Sequence, residues 1–181
     1  MRLAVSQPQW INGGIAEGGK ALRETHSVIV GIATAGRPTL VSSLVKRLER
    51  QTLRPSLILI APANSGDVEP SLASDLIRIV HGRQGSCAQR NSIIEETIAH
   101  GGDVLVFFDD DFVPCDDYLE AMSAALLGSS AVLAGGITLA DGAGSAGISL
   151  EDADRIIAAA PTAIPSTVPA QGAYGCATWR C

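Results

Sequence analysis

The sequence predicts an α/β domain in which a mostly parallel β-sheet is covered by helices on both faces. Segments rich in β-branched and aliphatic residues alternate with segments whose apolar residues recur every three or four positions. Hydrophobic residues make up 46% of the chain but aromatic residues only 4%, which is typical of aliphatic strands buried on both sides. The 181 residues suffice for one domain with a core. Strands and helices that alternate in this way form parallel sheets.

Each predicted strand is an aliphatic run bounded by turn residues. The first strand is predicted over residues 27–34, where β-branched residues follow no helical period. The run at 103–108 is the most hydrophobic of the candidates and leads directly into three aspartates. Further strands are predicted over residues 57–61, 76–80 and 131–139.

The predicted helices begin at capping or turn residues. Leucines four residues apart follow Pro38, which suits the first turn of a helix. The next helix starts near Ser86, with Ser86 and Gln89 in capping-box positions, and ends at the glycine pair 101–102. Two further helices are predicted, one opened by residues 114–117 and one over residues 149–159, capped by Ser149 and Asp152.

Residues 1–26 are predicted to be a flexible leader before a single domain over residues 27–181. The segment contains charged residues and two glycine pairs, and it lacks the apolar core of a signal peptide. No stretch of the chain approaches the roughly 20 apolar residues of a membrane span. Four cysteines lack the spacing of a zinc site, and we expect reduced thiols in the cytoplasm: Cys87, Cys115, Cys176 and Cys181.

The charge of the chain disfavours a nucleic-acid partner. The formal net charge is -6 and the sequence pI is about 4.9, so phosphate backbones are repelled rather than attracted. Binding of an anionic substrate therefore requires a local positive charge, either from a cation or from a helix N-terminus.

The three consecutive aspartates Asp109, Asp110 and Asp111, called the acidic cluster below, predict a metal site. They follow a buried strand, and ligands of open parallel sheets bind beyond the carboxyl ends of the strands. Ionised carboxylates repel one another, and this repulsion raises the pKa of at least one of the three aspartates unless a cation binds. Mg²⁺ and Mn²⁺ take one or two protein carboxylates and complete their shells with water and phosphate oxygens. A solvated acidic turn explains the residues less well, because apolar residues flank them on both sides.

The segment VLVFFDDDFVPCDDYLE resembles the DxD strand and following helix of family 2 glycosyltransferases. SVIVGIATAGRPTLVSSLVKRLERQ is similar to the family's first strand and helix, and GSCAQRNSIIEET to the stretch with an Arg-Asn pair. AVLAGGI and GAYGCATWR resemble the fifth strand and the start of the acceptor-side segment. Together these segments cover residues 27–181, and their order and spacing carry the resemblance.

The resemblance implies a GT-A, Rossmann-like fold and a donor site for a nucleotide sugar. It places Thr34 against the base or ribose and Arg90 near the nucleotide or its diphosphate. It makes Asp109 and Asp111 the outer residues of the DxD motif, with Asp111 as the first metal ligand and Asp110 at the ribose. It also implies direct displacement with inversion, a saccharide or lipid-linked acceptor, polysaccharide synthesis and peripheral membrane association of the full enzyme.

Two features depart from the family pattern. Family members place an acidic residue at the end of the second strand to hold the base, whereas Asn64 and Asp67 are the candidates here. The general base normally follows the segment that GAYGCATWR resembles, and no residue of this sequence is assigned to that role. The catalytic base is therefore unknown. The expected function is still glycosyl transfer, and the alternative is a fragment or a non-catalytic domain that binds nucleotide sugars.

Two other interpretations compete with the family resemblance at single motifs. The string DDDFV fits the nucleophile motif of haloacid-dehalogenase-like phosphatases, but these enzymes need a later lysine, and the last lysine is Lys46. Glycines at 142, 144 and 147 match a dinucleotide fingerprint, but residues 160–170 lack its acidic partner, which favours a loop. Arg37 is interpreted as a residue of a solvated turn beside Pro38 rather than a phosphate ligand.

Overall fold

The computed structural model describes residues 2–5, 26–127, 132–142 and 147–160, and these residues form an α/β fold. The strands are β1 (Arg2–Val5), β2 (Val28–Thr34), β3 (Leu57–Pro62), β4 (Ile77–Ile79), β5 (Val104–Asp109), β6 (Phe112–Pro114) and β7 (Ile137–Asp141). The helices are α1 (Pro38–Leu48), α2 (Ser86–Ala99), α3 (Tyr118–Leu127) and α4 (Leu150–Ala159), with short 3₁₀ turns at Ser65–Asp67 and Pro70–Leu72.

Four strands form a central parallel sheet in the order β4-β3-β2-β5. This arrangement confirms the predicted mostly parallel sheet, and each crossover between its strands runs through a helix or a long connection. The middle strands β2 and β3 are almost wholly buried, which explains their continuous aliphatic sequences.

Helices cover both faces of the central sheet, as predicted. On one face, α1 and α3 pack against alternate residues of β2, β3 and β5 in the largest apolar cluster. On the other face, α2 packs through Ile93 against Ile29, Leu59 and Ala61. Gly31 of β2 allows the close approach of α2, because a Cβ atom there would lie 2.6 Å from Cγ2 of Ile93.

A second sheet of three short strands has the order β6-β1-β7. Its middle strand β1 pairs parallel with β6 and antiparallel with β7, with a register shift between Leu3 and Ala4. Helix α4 packs against this sheet through Ala153, which joins Val113 in a small apolar cluster. The strand β1 lies within the segment that the sequence predicts to be a leader, and so Arg2–Val5 belong to the folded domain.

Two predicted elements differ from the structure. The fifth predicted strand, 131–139, is shifted to Ile137–Asp141, because residues 132–136 form no ladder and the pairing with β1 begins only at Ile137. The capping box at Ser86 is wrong: Ser86 is the first helical residue, Gly85 precedes it with a φ of 110°, and Gln89 turns inward instead of capping. Gly85 suits this position because its φ lies in the region that other residues avoid.

The remaining helix predictions agree closely with the structure. Pro38 opens α1, His100 ends α2, and Ser149 caps α4 by accepting a hydrogen bond from the amide of Asp152. Within the described ranges, none of the helices has the length and apolar character required to cross a membrane.

Candidate functional site

The carboxyl ends of β2, β3 and β5 meet at one edge of the central sheet, called the carboxyl edge below. The register pairs Thr34 with Pro62 and Ala33 with Asp109, so these strands end side by side. The acidic cluster begins at this edge, because Asp109 is the last residue of β5 and Asp110 and Asp111 form the turn that follows. The topology therefore places the predicted site residues of two distant segments together.

Asp110 is the anchored member of the acidic cluster. It is buried, and its Oδ2 accepts a hydrogen bond from Thr34 Oγ1 at 2.7 Å. Its Oδ1 accepts a second bond from Arg37 Nη1 at 3.0 Å. Because a buried carboxylate without partners is costly, these bonds are what allows Asp110 to lie inside. Thr34 and Asp110, both predicted site residues, thus form one buried unit.

Arg37 is a site residue that the sequence interpretation missed. Its Nη1 also lies 3.1 Å from Asp111 Oδ2, and it therefore bridges two carboxylates of the acidic cluster. Asp110, followed by Asp111, raises the pKa of Arg37 above its ordinary value, and partial burial opposes the rise. The interpretation as a turn residue is right about its position, since the side chain is 51% exposed, but wrong about its partners.

Arg90 supplies a second guanidinium group to the acidic cluster. Its Nη2 donates to Asp109 Oδ1 at 2.8 Å, and both side chains are about one fifth exposed. Its Nη1 hydrogen-bonds to the hydroxyl of Ser86, one helical turn earlier. Helix α2 thereby holds Arg90 over the end of β5, beside Asp109.

Two arginines reduce the repulsion between the three adjacent carboxylates. Among the described residues, Arg37 and Arg90 form ion pairs with the acidic cluster. The sequence predicts that a cation relieves the repulsion, and in this structure Arg37 and Arg90 do so. Guanidinium groups that bind carboxylates can also bind phosphate, because both groups are oxyanions that accept hydrogen bonds from paired N–H donors.

The donor set fits a divalent cation that is shared with a substrate. Asp109 and Asp111 offer hard oxygens on side chains that are 22% and 24% exposed. Across the described ranges, no group of three or more potential metal-ligating side chains occurs. A cation at this site would therefore also take ligands from a substrate or from water. Mg²⁺ commonly binds one or two carboxylates together with phosphate oxygens and water, which is the arrangement that two partly exposed aspartates permit.

The end of β3 carries amide groups in place of the expected acidic residue. Asp67 is buried and accepts hydrogen bonds from the backbone and side-chain amides of Asn64, at 2.8 and 3.3 Å. Asn64 is exposed, and its Oδ1 accepts from Gln84 Nε2 at 3.1 Å. Asp67 therefore caps a local 3₁₀ turn, and Asn64 with Gln84 presents the polar surface beside the carboxyl edge.

Gln89 joins the ends of β2 and β3 from beneath the carboxyl edge. Its Nε2 donates to the carbonyl oxygen of Thr34 at 2.9 Å and to that of Ala61 at 2.6 Å, and the residue is buried. The pattern of Ser86 and Gln89 predicted a helix cap at this residue. Its position directly before Arg90 gives no signal that it faces the site, because consecutive helical side chains point in different directions.

A cavity larger than any space among the described residues of the carboxyl edge lies elsewhere. It has a volume of about 560 Å³ and runs along the outer edge of β4, where Asp75, Arg78 and His81 line it with apolar neighbours. A cavity of about 10 Å³ lies between α1 and the turn at Asp110 and Asp111. We favour the carboxyl edge as the site, because convergent charged groups rather than volume distinguish it.

Several sequence predictions lie outside the described residues. These include the acceptor-side segment GAYGCATWR, the loop after Ala160, Gly144 of the glycine pattern at 142, 144 and 147, and the cysteines Cys176 and Cys181. Comparison of the chain with protein-family models gives no match, and comparison with curated proteins gives no significant match.

Proposed function

We propose that this chain is the donor-binding domain of a GT-A-type glycosyltransferase of family 2. In this proposal it binds a nucleoside diphosphate sugar with Mg²⁺ or Mn²⁺ and transfers the sugar, with inversion, to a saccharide or lipid-linked acceptor. The observation that carries the proposal is the union of Thr34, Asp109 and Asp110 with two arginines, Arg37 and Arg90, at the carboxyl edge. Open parallel sheets bind their ligands at this edge.

The residues divide the recognition of the donor among them. Asp111 and Asp109 would hold the cation, which when bound supplies Lewis-acid stabilisation of the charge on the departing diphosphate. Arg90 and Arg37 bring guanidinium groups within hydrogen-bond distance of the same carboxylates, where they can also meet phosphate oxygens. Asp110 is fixed by Thr34 and supports the ribose side of the site.

A non-catalytic binding domain is the second candidate function. The observation that favours it is the engagement of the acidic cluster, since each of its three carboxylates already bonds to an arginine. A general base needs a carboxylate that accepts a proton from the acceptor hydroxyl. Turnover of donor to a glycosylated product distinguishes the enzyme from the binding domain. Polysaccharide synthesis, a cytoplasmic location and peripheral membrane association remain predictions of the resemblance.

The proposal is tested by calorimetric titration of the chain with UDP, GDP, ADP and CDP, each with Mn²⁺, with Mg²⁺ and with a chelator. We expect one of the nucleotides to bind only in the presence of metal. Asp111→Ala should weaken this binding at least tenfold, which is the effect expected when a charged ligand contact is lost. Equal affinity with metal and with chelator would contradict the role of the cation.

Asp75→Ala is the matched control. Asp75 is an exposed aspartate before β4, at the opposite edge of the sheet, and it lines the larger cavity. We expect its replacement to leave nucleotide affinity unchanged. If Asp75→Ala abolishes binding and Asp111→Ala does not, the ligand occupies the cavity along β4 and the proposed site is wrong.

A further inference from the structure

Gln89 occupies an unusual place for a buried polar side chain. Its two hydrogen bonds end on main-chain carbonyl oxygens of two different strands, Thr34 of β2 and Ala61 of β3. Each bond lies within normal hydrogen-bond length, and the side chain is 5% exposed. A buried amide is retained without penalty only when its polar atoms find partners. Gln89 finds them at the two strand ends that border the proposed donor site.

Gln89 acts where the pairing of β2 with β3 ends. The last residue pair of this ladder is Thr34 with Pro62. The backbone amide of Ala63, the residue after β3, bonds to the carbonyl of Thr34 at 2.9 Å. The side-chain amide of Gln89 adds a second donor to this carbonyl and one to the carbonyl of Ala61. Gln89 therefore bridges the two strands at the end of their ladder.

The bridge connects directly to the acidic cluster. Thr34, whose carbonyl Gln89 binds, donates its side-chain hydroxyl to Asp110 at 2.7 Å. The residue after Gln89 is Arg90, which binds Asp109 at 2.8 Å. One segment of α2 thus sets the end of β2 through Gln89 and the end of β5 through Arg90.

We propose that Gln89 is a positioning residue for the donor site, which holds the ends of β2 and β3 at the spacing that nucleotide binding requires. The inference rests on the proposed function and extends it to a residue that does not touch the ligand. Its effect passes through the carbonyl of Thr34 to the hydroxyl that anchors Asp110. Loss of the bridge should therefore weaken nucleotide binding beyond any general loss of stability.

The test compares Gln89→Met with Gln51→Met. Methionine keeps the length of glutamine and removes its donors. Gln51 is an equally buried glutamine that also joins main-chain groups, since it donates to the carbonyl of Cys115 at 2.6 Å and accepts from the amide of Leu119 at 3.0 Å. It follows the C-terminal end of α1, at the opposite edge of the sheet from the site. The pair separates positioning from burial of a polar group.

Two measurements are made on each variant: nucleotide affinity by calorimetry and backbone amide exchange by mass spectrometry. We expect Gln89→Met to weaken the nucleotide about tenfold, as the loss of two hydrogen bonds predicts, and Gln51→Met to leave affinity unchanged. Exchange in residues 61–64 and 109–111 should accelerate only in Gln89→Met. Should that variant fail to fold, Gln89→Asn, whose shorter amide cannot span both carbonyls, should give about a threefold loss.

The outcomes of this experiment are distinct from failure of the proposed function. If the unmodified chain binds no nucleotide, the donor-site proposal fails, and the exchange data alone decide whether Gln89 orders the strand ends. Unchanged exchange at both segments would overturn the positioning role. Faster exchange with unaltered nucleotide affinity would overturn it as well, because the strand ends would then be free to move without consequence for the ligand.

Discussion

The central sheet and the small sheet of this protein are built in opposite ways. The central sheet pairs strands of up to seven residues through continuous parallel registers and is covered by helices on both faces. The small sheet pairs three- to five-residue strands that begin at residues 2, 112 and 137, and helix α4 packs against it. The central sheet has an apolar cluster on each face, whereas the described residues of the small sheet join one small cluster, and we infer that its ladders hold it.

The acidic cluster lies at the junction of these two sheets, and this position explains its geometry. Strand β5 of the central sheet ends at Asp109, and strand β6 of the small sheet begins at Phe112. The turn between them is therefore anchored at both ends, and Thr34 and Arg37 hold its carboxylates in between. The central sheet therefore supplies Thr34 and Asp109, while the small sheet fixes the direction in which the chain leaves the acidic cluster.

The largest effect is expected from a cavity in the central sheet. Ile60→Ala removes a side chain that is fully buried in β3, and such truncations reduce the free energy of unfolding by about 4 kcal/mol. Denaturant unfolding followed by circular dichroism measures the loss. The matched change in the small sheet, Val113→Ala in β6, should cost about 2 kcal/mol, because fewer methyl groups leave a smaller cluster. Equal losses would show that the two sheets share one core of uniform strength.

The central sheet could be predicted from sequence because its signals are local. Strand β2 is an unbroken aliphatic run, and α1 begins at Pro38 with leucines four residues apart, so periodicity alone defines them. The small sheet has no such signal. Strand β6 contains three residues, and β1 pairs with residues more than 100 positions away. Short strands that depend on distant partners carry no periodicity of their own, which is why β1 was predicted to be a leader.

The sequence predicts the aspartates of the site but not both of its arginines. Asp109 to Asp111 stand out because charge directly follows a buried strand, and the structure joins Thr34 and Arg90 to them. Arg37 was missed because a single arginine beside a proline resembles any turn. Its pairing depends on the strand order, since β2 lies next to β5 and brings the residues after Thr34 to the acidic cluster. The contact of Arg37 with Asp110 and Asp111 joins residues that are far apart in the sequence, so no local pattern predicts it.

A second prediction tests whether the small sheet is held mainly by its ladders. Leu3→Pro removes a backbone donor from β1, the middle strand, where proline is not tolerated. Loss of one ladder bond with its partner left unsatisfied costs about 2 kcal/mol. Amide exchange should accelerate in β6 and β7 while β2 and β3 stay protected, since the central sheet has its own core.

Leu3→Val is the control for this prediction, because it keeps the backbone N–H and an aliphatic side chain, and valine suits a strand. It should leave exchange in both sheets unchanged. If Leu3→Pro instead accelerates exchange throughout the central sheet, the two sheets unfold as one cooperative unit and the comparison between them fails.

The smallest effect is expected at α4, the helix that packs on the small sheet. The hydroxyl of Ser149 accepts from the amide of Asp152 at 3.1 Å, which satisfies one of the donors at the helix start. Ser149→Ala should therefore reduce the free energy of unfolding by about 1 kcal/mol. Ser149→Asp, which keeps a capping acceptor, should retain most of the stability. Thermal unfolding of both variants at neutral pH measures the difference.

The same cap should depend on pH in a direction that its hydrogen bonds define. The hydroxyl of Ser149 also donates to Oδ2 of Asp152 at 2.7 Å, and this bond, followed in effect by Arg155, lowers the pKa of Asp152 below its ordinary value. Because the pKa of Asp152 is lower in the folded state, its ionised carboxylate stabilises the fold above the unfolded-state pKa of about 3.9. This stabilisation disappears as the pH falls through the folded-state pKa.

The stability difference between the unmodified chain and Ser149→Ala should thus narrow as the pH is lowered from 6 to about 3. The stability difference should not vanish, because the hydrogen bond from the backbone amide of Asp152 to the hydroxyl of Ser149 involves no titrating group. A difference that stays constant over this range would show that the carboxylate of Asp152 contributes nothing to the cap.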